Sequence, residues 1–124
     1  MSQDLIADAL NQMKNTKKAG KSQVGIRRHS KLLLSVLAIA KLKGYVKNYK
    51  VESGSLNIEM GNINDCNAIK PRYVIQVGDI EKYVKRYLPA KDIGILIVST
   101  SQGLMTHLTA QDKNIGGALI AYFY

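Results

Sequence analysis

In the first half of the chain, some segments have apolar residues at helical spacing, and others alternate apolar and polar residues as strands do. Apolar residues at helical spacing predict a first helix over about 2–17, and a short strand follows it. A second apolar stripe predicts a helix that Ser30 caps and Gly44 ends. The segments 45–51 and 56–60 alternate in polarity around a turn-like sequence, which predicts a hairpin. This half therefore predicts the order helix, strand, helix, strand, strand.

The pattern changes in the second half of the chain. Residues 62–71 lose periodicity and collect Asn, Asp and Gly, which is typical of a connector. A short strand, a helix that ends at Pro89 and two further apolar runs follow. We therefore predict an α+β fold of two small α/β domains in contact. The first covers 1–61, and the second, mostly β with short helices, covers 72–124.

Length and composition limit the class of protein. A chain of 124 residues with 46% apolar residues can bury a core as one compact body or two very small ones. We expect no membrane partner, because no apolar run reaches about 18 residues, and neither a signal nor a transit peptide is expected. These features favour the cytoplasm. The single cysteine, Cys66, excludes an internal disulfide.

The net charge of +9 is concentrated in the first fifty residues. These hold eleven Lys or Arg and two Asp or Glu, whereas residues 51–124 hold seven of each sign. From Lys14 to Lys50 no acidic residue occurs. Such a segment attracts polyanions, so nucleic acid is the predicted partner. The alternative is a helical surface that carries lysines only for solubility.

The most distinctive segment is GILIVSTSQGLMT, which covers residues 94–106. An apolar run ends there in three hydroxyl side chains, Ser99, Thr100 and Ser101, and Gly103 permits a tight turn or a close approach. Thr106 is a favourable N-cap for a short polar helix through about residue 114. The segment predicts a rigid frame that presents a loop of hydroxyls and glycine. The alternative is that these hydroxyls simply fill a turn.

The order VSTS-x-G-L-M-T, then a short helix, I-G-G and a terminal strand, resembles the signature of the eighth family of small-subunit ribosomal proteins. The resemblance extends to DLIADAL at 4–10, HSKL at 29–32 and KGYV at 43–46. The motifs IKPRY at 69–73 and RYLP at 86–89 are similar to the archaeal and eukaryotic branch. The resemblance covers the whole chain. It implies two small α/β domains and a structural RNA-binding role in the ribosome, without catalysis, cofactor or metal.

The resemblance also implies where RNA binds. The carboxy-terminal module of the family recognises a distorted stem in the central domain of small-subunit ribosomal RNA. The matching positions are Ser99, Thr100, Ser101, Gly103, Thr106, Gly116 and Gly117, with Asn15, Ser30 and Lys31 in the basic half. Charge alone adds Lys21, Arg27 and Arg28 as candidate phosphate ligands. Arg72-Tyr73 follows a proline that fixes its approach, so this pair could stack on a base or ribose. The alternative for Tyr73 is a core position in a strand.

Further partners and alternatives follow from the same residues. Neighbouring small-subunit proteins are expected partners, and the sequence leaves open whether the chain also binds its own operon messenger RNA. A small hydrolase built on Ser101 and one of two histidines, His29 or His107, is a competing class, although we expect both histidines at the surface or in a cap. A protein-interaction module is a third. Two departures from the common family pattern are Gln102, where Lys is frequent, and Ala118, where bacterial members have Glu.

Overall fold

The structure of the chain, a computed structural model, describes residues 5–27, 30–69, 74–90 and 93–124. It divides into two compact units, Met1–Asn67 and Ala68–Tyr124. The division predicted from the sequence, with a connector over 62–71, stays a prediction. Each unit is described by itself below.

The first unit contains two helices and a three-stranded antiparallel sheet. The central strand, β3, pairs with β1 on one side and with β2 on the other. Its sequence SLNIEM alternates, so one side of the strand is buried and the other faces outward. The elements are α1 (Leu5–Lys18), β1 (Gln23–Ile26), α2 (Lys31–Leu42), β2 (Val46–Glu52) and β3 (Ser55–Met60). Their order is the predicted one.

Local chemistry sets the ends of α2 and the hairpin turn. The Ser30 hydroxyl accepts a hydrogen bond from the Leu33 backbone N–H at 3.2 Å and so caps the helix. Gly44 follows the helix at a φ of 86°, a left-handed conformation that glycine adopts without a steric cost. Ser53 and Gly54, at φ of 50° and 79°, join β2 to β3 in a two-residue turn of the kind that matches strand twist.

The second unit has a mixed set of short elements around a second sheet. Strand order in this sheet is β4-β8-β6-β7, and β5 also pairs with β8. All of the pairings whose register is defined are antiparallel. The elements are β4 (Cys66–Ala68), whose first two residues still belong to the first unit, β5 (Val74–Ile75), a 3-10 turn (Val77–Asp79), α3 (Ile80–Tyr87), β6 (Ile95–Thr100), β7 (Gly103–Thr106), α4 (His107–Lys113) and β8 (Gly117–Phe123). Helices with antiparallel sheets confirm the α+β class.

The core of the second unit lies between α3 and one side of its sheet. Ile80 and Val84 of α3 belong to the same buried cluster as Leu96, Val98 and Leu119 of the sheet. Four half-buried tyrosines pack against this cluster, and three of them stack one after another with centroid separations of 5.7 and 5.9 Å. They are Tyr83, Tyr87, Tyr122 and Tyr124, of which the last three form the stack.

Two short strands lie where the sequence shows no strand pattern. Strand β4 occupies three residues of the predicted connector, too few for an alternation to be visible. Strand β7 has four residues, and they follow directly on the hydroxyl cluster. In the part of the chain that the structure describes, no helix is both long enough and apolar enough to cross a membrane.

Cys66 is fully buried, and its thiol donates to the backbone oxygen of Leu10 at 3.5 Å. Burial, with a smaller contribution from Asp65, raises the pKa of the Cys66 thiol to about 12. The folded chain therefore keeps the thiol protonated at pH 9, where an unfolded thiol is partly ionised. Stability from the neutral thiol is fully present below the unfolded pKa and is lost as the pH rises towards 12.

We expect a thiol-reactive dye at pH 9 to label Cys66 slowly in the folded chain and rapidly in denaturant, because only the thiolate reacts. The measurement is the ratio of the two labelling rates. Equal rates would show that the thiol is exposed and that the packing described for this residue is incorrect.

Candidate nucleic-acid interface

The hydroxyl cluster lies at the tip of a hairpin formed by β6 and β7. The last pair of the ladder joins Thr100 to Gly103, which leaves Ser101 and Gln102 at the turn. Gly103 has a φ of 108°, in the left-handed region that glycine adopts without a steric cost. Ser99 and Thr100 belong to β6, so the strand ends in hydroxyl side chains. The ladder with β7 extends the strand beyond its apolar run.

The Thr100 side chain holds this turn together. Its hydroxyl donates to the Gly103 backbone oxygen at 2.8 Å and accepts from the Gln102 backbone N–H at 3.0 Å. The hydroxyl therefore both donates and accepts a hydrogen bond inside the turn, which leaves one acceptor lone pair for any other partner. The contacts of Thr100 are structural, and its predicted contact with RNA stays a prediction.

The hydroxyls of Ser99 and Ser101 are different. Ser99 is half-buried and Ser101 is exposed. Among the residues that the structure describes, neither serine hydroxyl takes part in a hydrogen bond. A serine hydroxyl can donate once and accept twice, so the pair brings donors and acceptors to the hairpin tip. These two hydroxyls are the hydrogen-bonding groups that the tip offers to a ligand.

Thr106 and His107 anchor the start of α4. Thr106 is 4% exposed, and its hydroxyl accepts from the Thr109 backbone N–H at 3.3 Å, which is the predicted N-cap. His107 is 2% exposed, and its Nδ1 accepts from the Leu96 backbone N–H at 3.1 Å. Of the two expected positions for His107, surface or cap, the surface one was wrong, and the residue lies buried at the first position of α4. The β6–β7 ladder ends at Ile97 and Thr106, and the imidazole satisfies the next N–H of β6.

Positions 116 and 117 have no room for a side chain, so glycine is required at both. A Cβ on Gly117 would lie 2.3 Å from the Ser99 backbone oxygen, and one on Gly116 would lie 2.3 Å from the Ile75 oxygen. Neither glycine has a positive φ, so close approach of the backbones is the cause. Gly117 therefore fixes the position of the strand that carries Ser99. A direct contact of either glycine with RNA stays a prediction.

The predicted RNA-binding positions of the first unit are mostly exposed. Asn15, Lys21, Arg27 and Lys31 are exposed, whereas Ser30 is half-buried and its hydroxyl caps α2. Lys21, Arg27 and Lys31 have no ion pair with any residue in the described ranges. The predicted residues Arg28, Arg72 and Tyr73, and also His29, lie outside the described residues.

Three other lysines of the first unit are paired with carboxylates. Lys14 pairs with Asp65 at 3.1 Å, Lys47 with Glu59 at 3.5 Å and Lys50 with Glu52 at 2.6 Å. The hydrogen bond and the charge of Glu52 raise the pKa of Lys50. The excess positive charge of this unit is therefore carried by residues at the helix ends and in the loops, including Lys21, Arg27 and Lys31.

The described residues contain no group of three His, Cys, Asp or Glu side chains placed to hold a metal ion. The hairpin of the second unit carries two unengaged hydroxyls, and the first unit separately carries exposed cations. Such groups can hydrogen-bond phosphate, ribose and base edges without any chemical step. The sequence missed one contact at the tip, between Gln102 and Lys113, because no local pattern links positions eleven apart.

Comparison with known proteins gives the family. A family model described as Ribosomal protein S8 matches residues 4–124. The chain is 41% identical to the small ribosomal subunit protein uS8 of Nanoarchaeum equitans and 44% identical to that of Archaeoglobus fulgidus. Each alignment covers 100% of both chains. Because these relatives are ribosomal proteins, they confirm the expectation that the chain is not an enzyme. The chain therefore belongs to the Ribosomal protein S8 family and is of the archaeal type.

Proposed function

We propose that this chain is a structural constituent of the small subunit of the cytoplasmic ribosome, where it binds the central domain of the ribosomal RNA and assists its assembly. The observation that carries the proposal is the β6–β7 hairpin tip. Ser99 and Ser101 offer hydroxyls there, while the Thr100 hydroxyl is already used to close the turn.

An irregular RNA stem is the ligand that this tip fits best. The deep major groove of an A-form duplex is too narrow for side chains to read, whereas distorted stems expose base edges and ribose hydroxyls. A two-residue tip is small enough to approach such a site. Because the turn is ordered in advance by Thr100 and Gly103, binding does not have to order it.

The first unit supplies a second, less selective contribution. Lys21, Arg27 and Lys31 are exposed cations on a unit with excess positive charge. Lysine and arginine bind phosphates, which position a protein on RNA but carry no sequence information. We infer that these residues raise affinity for RNA in general, and that the hairpin selects the site.

Sedimentation tests this proposal. The chain is mixed with small-subunit and large-subunit ribosomal RNA in the presence of excess duplex RNA and is separated on a sucrose gradient. We expect it to sediment with the small-subunit RNA. Equal partition between the two RNAs, or complete displacement by the duplex competitor, would contradict the proposal.

Two further parts of the proposal concern partners. Contacts with neighbouring small-subunit proteins follow from a place in the assembled subunit. Binding to its own operon messenger RNA stays a prediction from the resemblance alone. His107 gives the hydrolase alternative no support, because its Nδ1 already accepts from a backbone N–H.

A further inference from the structure

A single hydrogen bond ties the end of α4 to the hairpin tip. The Lys113 ammonium donates to the Gln102 side-chain oxygen at 3.2 Å, and both side chains are exposed. Lys113 lies in the last turn of α4, where a cation is favourable beside the negative end of the helix dipole. The bond therefore holds a positive charge next to the turn that carries Ser101.

The lengths of two elements explain this contact. Strand β7 leads away from the tip for four residues, about 13 Å at the usual rise. Helix α4 begins directly after it and has seven residues, about 10 Å long. Since α4 returns along the hairpin, its last turn is brought level with the tip. The position of Lys113 is thus fixed by the fold as well as by Gln102.

Lys113 is also the cation of this region. It is the only Lys or Arg between residue 93 and the carboxy terminus. Asp112 is the neighbouring acidic residue, but adjacent positions of a helix point in different directions. No ion pair neutralises Lys113 within the ranges that the structure describes.

We propose that the Lys113 ammonium is a phosphate-binding group of the hairpin site and that Gln102 holds it in place. The inference rests on the proposed function and adds a residue to it. A lysine ammonium has three donors, so two remain for phosphate oxygens after the bond to Gln102. The family pattern often places a lysine in the turn itself. Here the turn has Gln102, and Lys113 of α4 places a cation beside it.

Charge exchange between the two positions tests this proposal. Affinity for an irregular central-domain stem is measured over a four-fold rise in salt. Loss of one phosphate contact in Lys113→Gln should flatten the slope of log affinity against log salt by roughly 0.7 to 0.9. The wild type should then lose about three-fold more affinity than the variant over this range.

The stronger part of the test restores the positive charge by placing a lysine in the turn. Gln102→Lys in the Lys113→Gln chain should return the slope to its wild-type value. Lys82→Gln, which removes an exposed lysine from α3, is the matched control and should leave the slope unchanged. An unchanged slope in Lys113→Gln, or failure of Gln102→Lys to restore it, would overturn the proposal.

Failure of this inference can be told apart from failure of the proposed function. If the wild type has no preference for the irregular stem over a duplex, the proposed function fails. If the wild type has that preference and loses it when Ser99 and Ser101 are changed, while Lys113→Gln has the wild-type slope, only the role of Lys113 is wrong. All substituted positions except the half-buried Ser99 are exposed, and circular dichroism verifies that each variant is folded.

Discussion

Replacement of Gly117 by alanine should strongly destabilise the second unit. The added Cβ would lie 2.3 Å from the Ser99 backbone oxygen and 3.0 Å from a methyl carbon of Val98. The first atom is backbone in a central strand, so relief requires the β6–β8 ladder to separate. Overpacking of this kind costs about 1–3 kcal/mol and occasionally more, and we expect the upper end here. Urea unfolding followed by circular dichroism measures the change.

Gly78→Ala is the matched control for this substitution. Gly78 lies in the same unit, has no positive φ, and a Cβ there would meet no atom within 4 Å. We expect its effect on the free energy of unfolding to stay within about 0.5 kcal/mol, as for most surface substitutions. If Gly117→Ala were as stable as Gly78→Ala, β8 would not pack on Ser99 as described.

The same substitution should also weaken selective RNA binding at temperatures where the variant is still folded. Any relaxation that accommodates the Cβ displaces the backbone of Ser99, which carries one of the two unengaged hydroxyls. The role of Gly117 in binding is then indirect.

Removal of unpaired cations from the first unit should lower the salt dependence of binding. Arg27→Ala/Lys31→Ala removes two exposed charges without an ion-pair partner among the described residues. If each contacts one phosphate, the slope of log affinity against log salt should flatten by roughly 1.4 to 1.8. Affinity for an irregular stem and for a perfect duplex should fall alike, because phosphate contacts carry no sequence information. Fluorescence titration over a salt series measures both quantities.

Lys47→Ala/Lys50→Ala is the control for this prediction. It removes the same net charge, but both lysines are paired with glutamates. We expect a smaller change in slope. An equal change in the two variants would show that net charge alone matters, and a loss confined to the irregular stem would show that Arg27 and Lys31 contribute to selection.

Features set by neighbouring residues were predicted from the sequence. The cap at Ser30 and the glycine at 44 define α2, and the cap at Thr106 defines α4. Each depends on a side chain and on backbone groups within four positions. The apolar stripes predicted α1 and α2 themselves, and the buried residues of both helices recur at helical spacing, because periodicity and burial have the same cause.

Features set by distant residues were not predicted. The imidazole of His107 is buried because it satisfies Leu96, eleven positions earlier, and no local pattern indicates that contact. Strand β7 was missed because a glycine and hydroxyls at its start are typical of a loop. The residues of the candidate site came from the family resemblance. The structure separates those whose side chains are hydrogen-bonded within the protein from those whose side chains are not. Thr100 and Thr106 hold the frame, while Ser99 and Ser101 remain available.

The central claim is that the hydroxyls of Ser99 and Ser101 select the RNA. The direct measurement is the ratio of dissociation constants for a perfect duplex and an irregular central-domain stem at one salt concentration. We expect Ser99→Ala/Ser101→Ala to lower this ratio by roughly thirty-fold, since two lost hydrogen bonds cost about 1 kcal/mol each. Ser35→Ala/Ser55→Ala, which removes two hydroxyls from the first unit, should keep the wild-type ratio. An unchanged ratio in the Ser99/Ser101 variant would contradict the account.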